Sequence, residues 1–339
     1  MEHNAPNPGL IFDTVTAYQK AAALNSALDL SLFTAIAAGH TTPEAIAAQT
    51  QASVRGIRAL CDYLTIHGFL NKTALPPTPA YSLTQDSAIF LDEKSPAYLG
   101  SIRLFLATGD IKESFNHLTD AVRNGRTALP GQGSVDFDDP VWQSFARDMM
   151  PLMMPPAQYI AQQVASLKPC RVLDVASSHG AFGISIARAN PAASVMALDF
   201  PGVLPVTREN VASAGLNAQF SFLPGDIFTA DLGGPYDVVL LTNLLHHFSV
   251  EKNITMLRRI HQSLAPKGRV MTLEFVPNED RITPPSSAAF SLVMLSTTAE
   301  GDAYTFAEFD QMFRAAGFAR SEIVDVPQSI EQLITTYTE

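Results

Sequence analysis

Basic residues are scarce in this chain of 339 residues: 22 Lys and Arg stand against 33 Asp and Glu, a formal net charge of −11. Phosphate affinity is carried by clustered cations, so this balance argues against a nucleic-acid-coating surface and a small-molecule partner fits better. Cysteine is nearly absent too. Cys61 and Cys170 stand far apart, with no C-x-x-C spacing or histidine-rich partner, so neither a disulfide framework nor a structural zinc site is implied. Both read as buried thiols. No run approaches the length of a membrane span, and the opening M-E-H-N-A-P-N-P lacks the basic start and apolar core of a signal peptide, so the expectation is a cytoplasmic protein. What the chain does have is apolar material, 47% against 16% charged, enough for a sizeable core and, at this length, for two domains.

From Phe12 to about Gly39 the apolar residues recur three and four apart, which predicts two helices broken near Leu28-Asp29-Leu30-Ser31. Thr42-Pro43-Glu44 starts another helix, with Thr42 as N-cap and Pro43 at the first helical position. A further helix over Val54 to His67 stops at Gly68, and Tyr81-Ser82-Leu83 after a Pro76–Pro79 tip reads as a short strand. Helix, turn, helix and hairpin wing make a winged-helix layout, which raises DNA binding. Its recognition helix offers only Arg55 and Arg58, beside Asp62, and the wing only Lys72, so residues 1–100 read as an interaction domain. The helices before Gly39 are too apolar to face water on all sides, and the expectation is a homodimer built on this domain.

Residues 101–339 form the second expected domain. It opens with a helical connection over 101–167: a helical region from Leu99 to Val122, a loop from Gly125 to Pro140, and helical periodicity from Val141 to Leu167 interrupted by Pro151, Pro155 and Pro156. Beyond Lys168 short apolar strands alternate with helices. Arg171–Ala176, Ser194–Asp199, Gln219–Leu223, Asp237–Thr242 and Val270–Val276 are the strands, with helices near Phe182–Ala189, Val203–Ala214, Val250–Leu264 and Phe306–Ala316 between them. Such alternation predicts an α/β fold with a mostly parallel sheet covered on both faces, to which the late strands Phe318–Val326 and Leu333–Tyr337 add an antiparallel edge.

The chemistry gathers where the strands end. R-V-L-D-V-A-S-S-H-G-A-F-G, from Arg171 to Gly183, is a strand, a loop of small residues and a helix, the arrangement that lets a nucleotide-like ligand approach backbone N–H groups. Asp199 closes the second strand, where a carboxylate can accept two hydrogen bonds from a ribose diol. After the third strand comes Gly225-Asp226-Ile227-Phe228, a carboxylate beside apolar side chains able to sandwich an adenine ring. Asn243-Leu244-Leu245-His246-His247 follows the fourth strand and Glu274 ends the fifth, which places an imidazole base and an orienting carboxylate on one edge.

Taken in order, Leu173-Asp174-Val175 with Gly180, Asp199-Phe200-Pro201, Gly225-Asp226-Ile227-Phe228, Leu245-His246-His247-Phe248 and Glu274 resemble the class I S-adenosylmethionine-dependent O-methyltransferases of the plant caffeate and animal hydroxyindole type. The resemblance spans almost the whole chain, since that family also begins with a winged-helix dimerisation domain, and it implies a Rossmann-like seven-stranded methyltransferase sheet. It implies Ala176 and Gly180 around the methionine part of the cofactor, Asp199 at the ribose, Asp226, Ile227 and Phe228 at the adenine, and Phe200 and Gly225 among the cofactor-binding residues. Asn243 follows the fourth strand, and Phe145 and Met149 match the lid over the cofactor. His246 matches the catalytic base and Glu274 the glutamate flanking it; Phe105, Phe290, Met294 and Thr298 are the substrate-pocket candidates. There are departures. Ala176-Ser177-Ser178 stands where glycines are usual, His247 where Asp is common, and Ala303 where many plant relatives carry a second catalytic glutamate.

Methyl transfer suits these residues. The donor is a sulfonium without phosphate, so no Walker loop is needed, and the task is mostly to hold an oxygen in line with a methyl–sulfur bond. An imidazole, with an ordinary pKa of about 6.5, assists deprotonation of a hydroxyl whose own value is about 10 for a phenol. Three other readings stand beside it: C-methylation of a keto acid at a bound metal, a ligand-sensing DNA regulator, and a cofactor-binding protein without transfer. Adjacent histidines seldom aim both rings at one ion, so no metal is expected at His246 and His247.

Overall fold

Thr42 accepts a hydrogen bond from Ala45 N–H and Pro43 fills the first turn, so the helix Pro43–Thr50 starts where the sequence says. The computed structural model describes residues 6–73, 79–106, 109–133, 141–168 and 170–339. Part of the expected 125–140 loop, and Pro76 to Thr78 of the expected hairpin tip, lie outside the described residues. Two compact units divide the chain between Arg103 and Leu104.

In the first unit Gly9–Val15, Ala17–Asp29 and Leu32–Ala37 are three helices where two were expected. The foreseen break at Leu30-Ser31 is there, with Ser31 at φ 48°; a second falls at Thr16, whose hydroxyl donates to Phe12 O. Val54–Ile66 follows with Ser53 as its cap, and strands β1 (Leu70–Thr73) and β2 (Ala80–Leu83) pair antiparallel as the wing. Phe33, Ile46, Ile57, Leu64 and Tyr81 fill the core between them. The helix Gln85–Phe90, capped by Thr84, carries no periodic signal long enough to have been foreseen.

Short helices follow, Ile102–Leu106 across the boundary and then Gly109–Asn116 and Leu118–Asn124, in place of one continuous helix. Val141–Asp148 and Met150–Val164 come next. Pro151 sits in the first turn, where its missing N–H has no helical partner to lose, but Pro155 and Pro156 lie inside the helix they were expected to interrupt. Burial explains the tolerance: Met153, Pro156, Ala157, Ile160, Ala161 and Val164 form one buried face against the sheet core.

That sheet has seven strands: β3 (Cys170–Val175), β4 (Ala193–Asp199), β5 (Phe220–Pro224), β6 (Tyr236–Thr242), β7 (Leu264–Glu274), β8 (Arg320–Asp325) and β9 (Gln332–Tyr337). Their order is β5-β4-β3-β6-β7-β9-β8, parallel except at β9, which runs antiparallel to both β7 and β8. β7 begins six residues before the expected Val270, because Leu264 already pairs with Tyr236. Central strands buried on both faces read as continuous apolar runs, as Val238 to Leu241 do, all at 0% exposure. The outcome for the site is geometric: β3 to β7 are mutually parallel, so Val175, Asp199, Pro224, Thr242 and Glu274 end on one edge. In the second unit a long helix escaped the sequence reading. Pro285–Thr297 is apolar nearly all round, so no amphipathic stripe marks it, and it carries Phe290 and Met294.

Candidate active site

The loop after β3 holds three residues in the left-handed region, Ala176 at φ 54°, Ser178 at φ 50° and Gly180 at φ 74°. The glycine-like path is therefore kept with alanine and serine in it, at a strain of about 1–2 kcal/mol for each non-glycine residue. Gly180 caps the helix Ala181–Ala189, and a Cβ there would crowd Thr207. Asp199 fastens the same loop: its Oδ2 accepts from Ser178 N–H at 2.7 Å and its Oδ1 from Phe200 N–H at 2.7 Å. Burial pushes the Asp199 carboxyl up to about 6. Behind it Asp174 is deeper still, pushed up to about 7 by burial first and the charge of Asp199 second, with Gly183 N–H donating to Oδ2 and Oδ1 unpartnered among the described residues.

Around this edge stand the other expected cofactor residues. Gly225 N–H donates to Asp199 O, and Asp226 accepts from Phe228 N–H through Oδ1, an Asx turn that leaves its second oxygen free for a ligand. Ile227 is buried and Phe228 meets Phe248 edge-on at 5.2 Å. Phe145 lies between the Phe105 ring at 5.1 Å and the His179 ring at 6.2 Å, while Met149 is buried and Phe200 packs near Ala146, Val203 and Val206. His179 was not foreseen. Burial lowers its pKa to about 4, and Ala181 N–H donates to its Nδ1.

The other end of the edge is built on a 3-10 turn, Leu245–His247, and the buried Asn253 amide donates to Leu245 O within it and to Phe248 O just after it. Glu274 is fully buried. Its Oε1 accepts from Leu244 N–H at 3.0 Å and Leu245 N–H at 2.8 Å, and its Oε2 lies 2.5 Å from His246 Nδ1. His246 Nε2 in turn lies 3.1 Å from His247 Nε2. The two adjacent imidazoles thus face each other across a single hydrogen bond. No group of three or more His, Cys, Asp or Glu among the described residues is arranged to hold a metal ion.

Phe290 meets the His246 ring edge-on at 4.9 Å and stacks on Phe275 at 3.9 Å. Met294 and Thr298 are buried, and the Thr298 hydroxyl is engaged within the chain, donating to Met294 O and accepting from Gly301 N–H. Gly301 is required there, since a Cβ would overlap the His246 carbonyl oxygen. Asn243, at φ 55°, donates from its backbone to Leu273 O and from Nδ2 toward Met153 Sδ at 3.5 Å. Two unforeseen residues complete this end: Trp142, edge-on to His247 at 5.1 Å, and Glu331, whose carboxyl is pushed up to about 7 by burial first and the charge of Glu274 second. Ala303 is buried and leaves this end without a second glutamate at that position.

An O-methyltransferase domain model matches residues 115–319 and an O-methyltransferase dimerisation domain model matches residues 12–93. The chain belongs to the O-methyltransferase family. Like its family, it is an S-adenosylmethionine-dependent enzyme that methylates oxygen, on the fold of class I methyltransferases. Among its relatives is the tetracenomycin polyketide synthesis 8-O-methyl transferase of Streptomyces glaucescens, 28% identical over 95% of each chain. The mouse acetylserotonin O-methyltransferase is 29% identical over 91% of this chain and 83% of its own. A solved structure from Nostoc punctiforme, described as a candidate O-methyltransferase, superposes with a TM-score of 0.94 at 46% identity, covering 98% of this chain and all of that one. Among the described residues no helix is long and apolar enough to cross a membrane.

Proposed function

We propose that the enzyme methylates a hydroxyl of a small aromatic or secondary metabolite, with His246 as the general base and Glu274 as its orienting carboxylate. The observation that carries this is the 2.5 Å contact between His246 Nδ1 and a carboxylate whose other oxygen is tied down by two backbone N–H groups. An ionised carboxylate only accepts, so it keeps the proton on Nδ1 and the lone pair on Nε2, and it stabilises the imidazolium formed when that lone pair takes a proton. The rings of Phe290 and Phe275 beside His246 favour a flat apolar acceptor. The polyketide- and acetylserotonin-directed relatives point the same way.

The residues of the other end fit S-adenosylmethionine. Each Asp199 oxygen accepts one backbone N–H and keeps a second lone pair, which suits a vicinal diol; Asp226 keeps one oxygen for the adenine amino group. Ser178 Oγ is buried without a partner among the described residues, a polar atom that a ligand would satisfy. Ala176, Gly180, Phe200, Gly225, Ile227, Phe228 and Asn243 would line this cleft, with Phe145 and Met149 over it. Bound there, the cofactor supplies an electrophilic methyl group on a sulfonium. The chain's own part is to hold it, to place the hydroxyl and to take its proton. Turnover against a panel of phenols and naphthols with S-adenosylmethionine tests the reading; wild-type protein that binds the cofactor and methylates no hydroxyl in such a panel would remove it.

The assembly belongs to the same proposal. Helix Gly9–Val15 buries none of its residues, and Leu10, Ile11, Phe12, Val15 and Tyr18 are each at least 66% exposed. So much open apolar surface, overlapping a matched dimerisation domain, favours a homodimer. Light scattering should give twice the 36.5 kDa chain mass, and a monomer at micromolar concentration would count against it.

A further inference from the structure

The hydrogen-bonded line from Glu274 through His246 continues for one residue and stops on an unpartnered atom. With Glu274 accepting at His246 Nδ1, His246 Nε2 carries the lone pair, so the His247 Nε2 that lies 3.1 Å away must be the donor. A neutral imidazole has one N–H, so His247 then holds its own lone pair on Nδ1. That atom is buried and has no partner among the described residues. The ring meeting His247 edge-on at 5.1 Å is Trp142, whose indole Nε1–H is also buried and also without a partner among the described residues. A buried acceptor and a buried donor left unpaired cost about 1–3 kcal/mol each, and native interiors seldom leave either. A hydroxyl satisfies both, giving its proton to the acceptor and taking the donor on its oxygen.

We propose that the methyl acceptor's hydroxyl docks on His247 Nδ1, with Trp142 Nε1–H donating to the same oxygen, and that its proton reaches His246 through His247. The proposal rests on His246 being the base. In the step, the O–H bond breaks and the proton bonds to the Nδ1 lone pair of His247. The Nε2–H bond of His247 breaks at the same time, and that proton bonds to Nε2 of His246. The products are an oxyanion, a His246 imidazolium held by Glu274, and a neutral His247 in its other tautomer, so proton and charge balance. Burial first, and the neighbouring charge of His246 second, hold the His247 pKa well below its ordinary value, which keeps this ring a conduit rather than a store. His247 is then a catalytic residue in its own right, and the usual role of the first histidine moves one step back from the substrate.

Nitrogen NMR of the free protein labelled with 15N-histidine reads the tautomers without any acceptor. The expected result is a protonated Nε2 and bare Nδ1 on His247 with the reverse on His246; a protonated Nδ1 on His247 overturns the relay. Kinetics on a phenol or naphthol that the wild type methylates give the second test. His247→Phe keeps a ring of similar size, and kcat should fall by about 10²- to 10³-fold while calorimetry shows unchanged S-adenosylmethionine affinity. Trp142→Phe, which removes only the donor, should raise KM about fivefold with little change in kcat. Full turnover by His247→Phe together with an inactive His246→Ala removes the relay and leaves His246 as a direct base. Full turnover by both removes the base reading itself. Activity abolished by a chelator and restored by a divalent metal would instead make the paired Nε2 atoms ligands, and would also overturn the relay. Should His247→Phe fail to fold, the wild-type tautomers decide alone.

Discussion

Asp199 and Glu274 end two strands of one sheet, and each accepts two backbone N–H groups, yet the donors are shared out differently. At Asp199 they fall one to each oxygen, from Ser178 and Phe200, so both oxygens keep a lone pair and the group remains a two-pronged acceptor. At Glu274 both fall on Oε1, from Leu244 and Leu245, which leaves Oε2 for a single imidazole. The placing of two amides thus separates a carboxylate suited to gripping a diol from one suited to orienting a base. Each also has a second buried carboxyl near it, Asp174 beside Asp199 and Glu331 beside Glu274, and each of these is pushed up to about 7.

The comparison breaks most sharply at the Glu274 end. His246→Ala should lower kcat by about 10²- to 10⁴-fold with cofactor affinity nearly intact, since its side-chain partners among the described residues, Glu274, His247, Phe275 and Phe290, are not ones that would hold the cofactor. Glu274→Gln must turn its amide NH2 either toward His246 Nδ1, which imposes the wrong tautomer, or toward Leu244 and Leu245 N–H. The rate should fall toward that of His246→Ala without passing it. A drop in melting temperature and cofactor binding alongside the rate would make His246 structural.

Glu331 sharpens the comparison through stability. Its folded pKa of about 7 lies above the ordinary carboxyl value of 4.5, so between these values the folded state holds a proton that the unfolded state has lost. Stability is fully present below about pH 4.5 and declines as pH rises toward 7. The loss attributable to this group is at most about 3 kcal/mol. Glu331→Gln should keep the Ser329 contact and remove this slope, so urea melts at pH 5 and pH 8 should differ less than for the wild type. Equal slopes in the two proteins would mean that Glu331 is ionised when folded.

At the other end Asp199→Ala should weaken S-adenosylmethionine binding tenfold or more, about 1.4 kcal/mol or above, measured by calorimetry. Unchanged affinity would dissolve the contrast between the two carboxylates, leaving Asp199 as a fastener for the Ser178 loop alone.

Much of this was legible before any coordinates. Thr42-Pro43 and the alternation after Lys168 announce their elements by caps and periodicity, and the strand ends follow because parallel strands put their C-termini on one edge. The helix Pro285–Thr297 was hidden by being apolar all round, and Pro155 and Pro156 misled because tertiary burial outweighs a local helix penalty. Glu331 gave no signal, since nothing in S-I-E-Q tells that the β8–β9 connection turns that carboxyl inward beside Glu274. His247 was visible as a departure from its family, but its role depends on which nitrogen is left without a partner, and that is a property of the folded turn.

The smallest effect tests the Asp199 end without mutation. Its carboxyl, at about 6 in the free protein, must be ionised to accept from both hydroxyls of a diol, so binding favours the deprotonated form. Affinity for S-adenosylmethionine should therefore be flat above about pH 7, fall as pH drops through 6, and be about tenfold weaker at pH 5, with proton release on binding in that window. The cofactor's own α-carboxyl and α-amino groups titrate outside it, near 3.5 and 8, so they do not supply this slope. Asp199→Asn separates the sources: it cannot titrate itself, so its binding should be weak and lose most of the fall through pH 6, any slope that stays belonging to the buried Asp174 behind it. A wild-type affinity that stays constant across the same range would show that a protonated Asp199, donating to one hydroxyl, serves as well, and the two-pronged reading of its lone pairs would have to be given up.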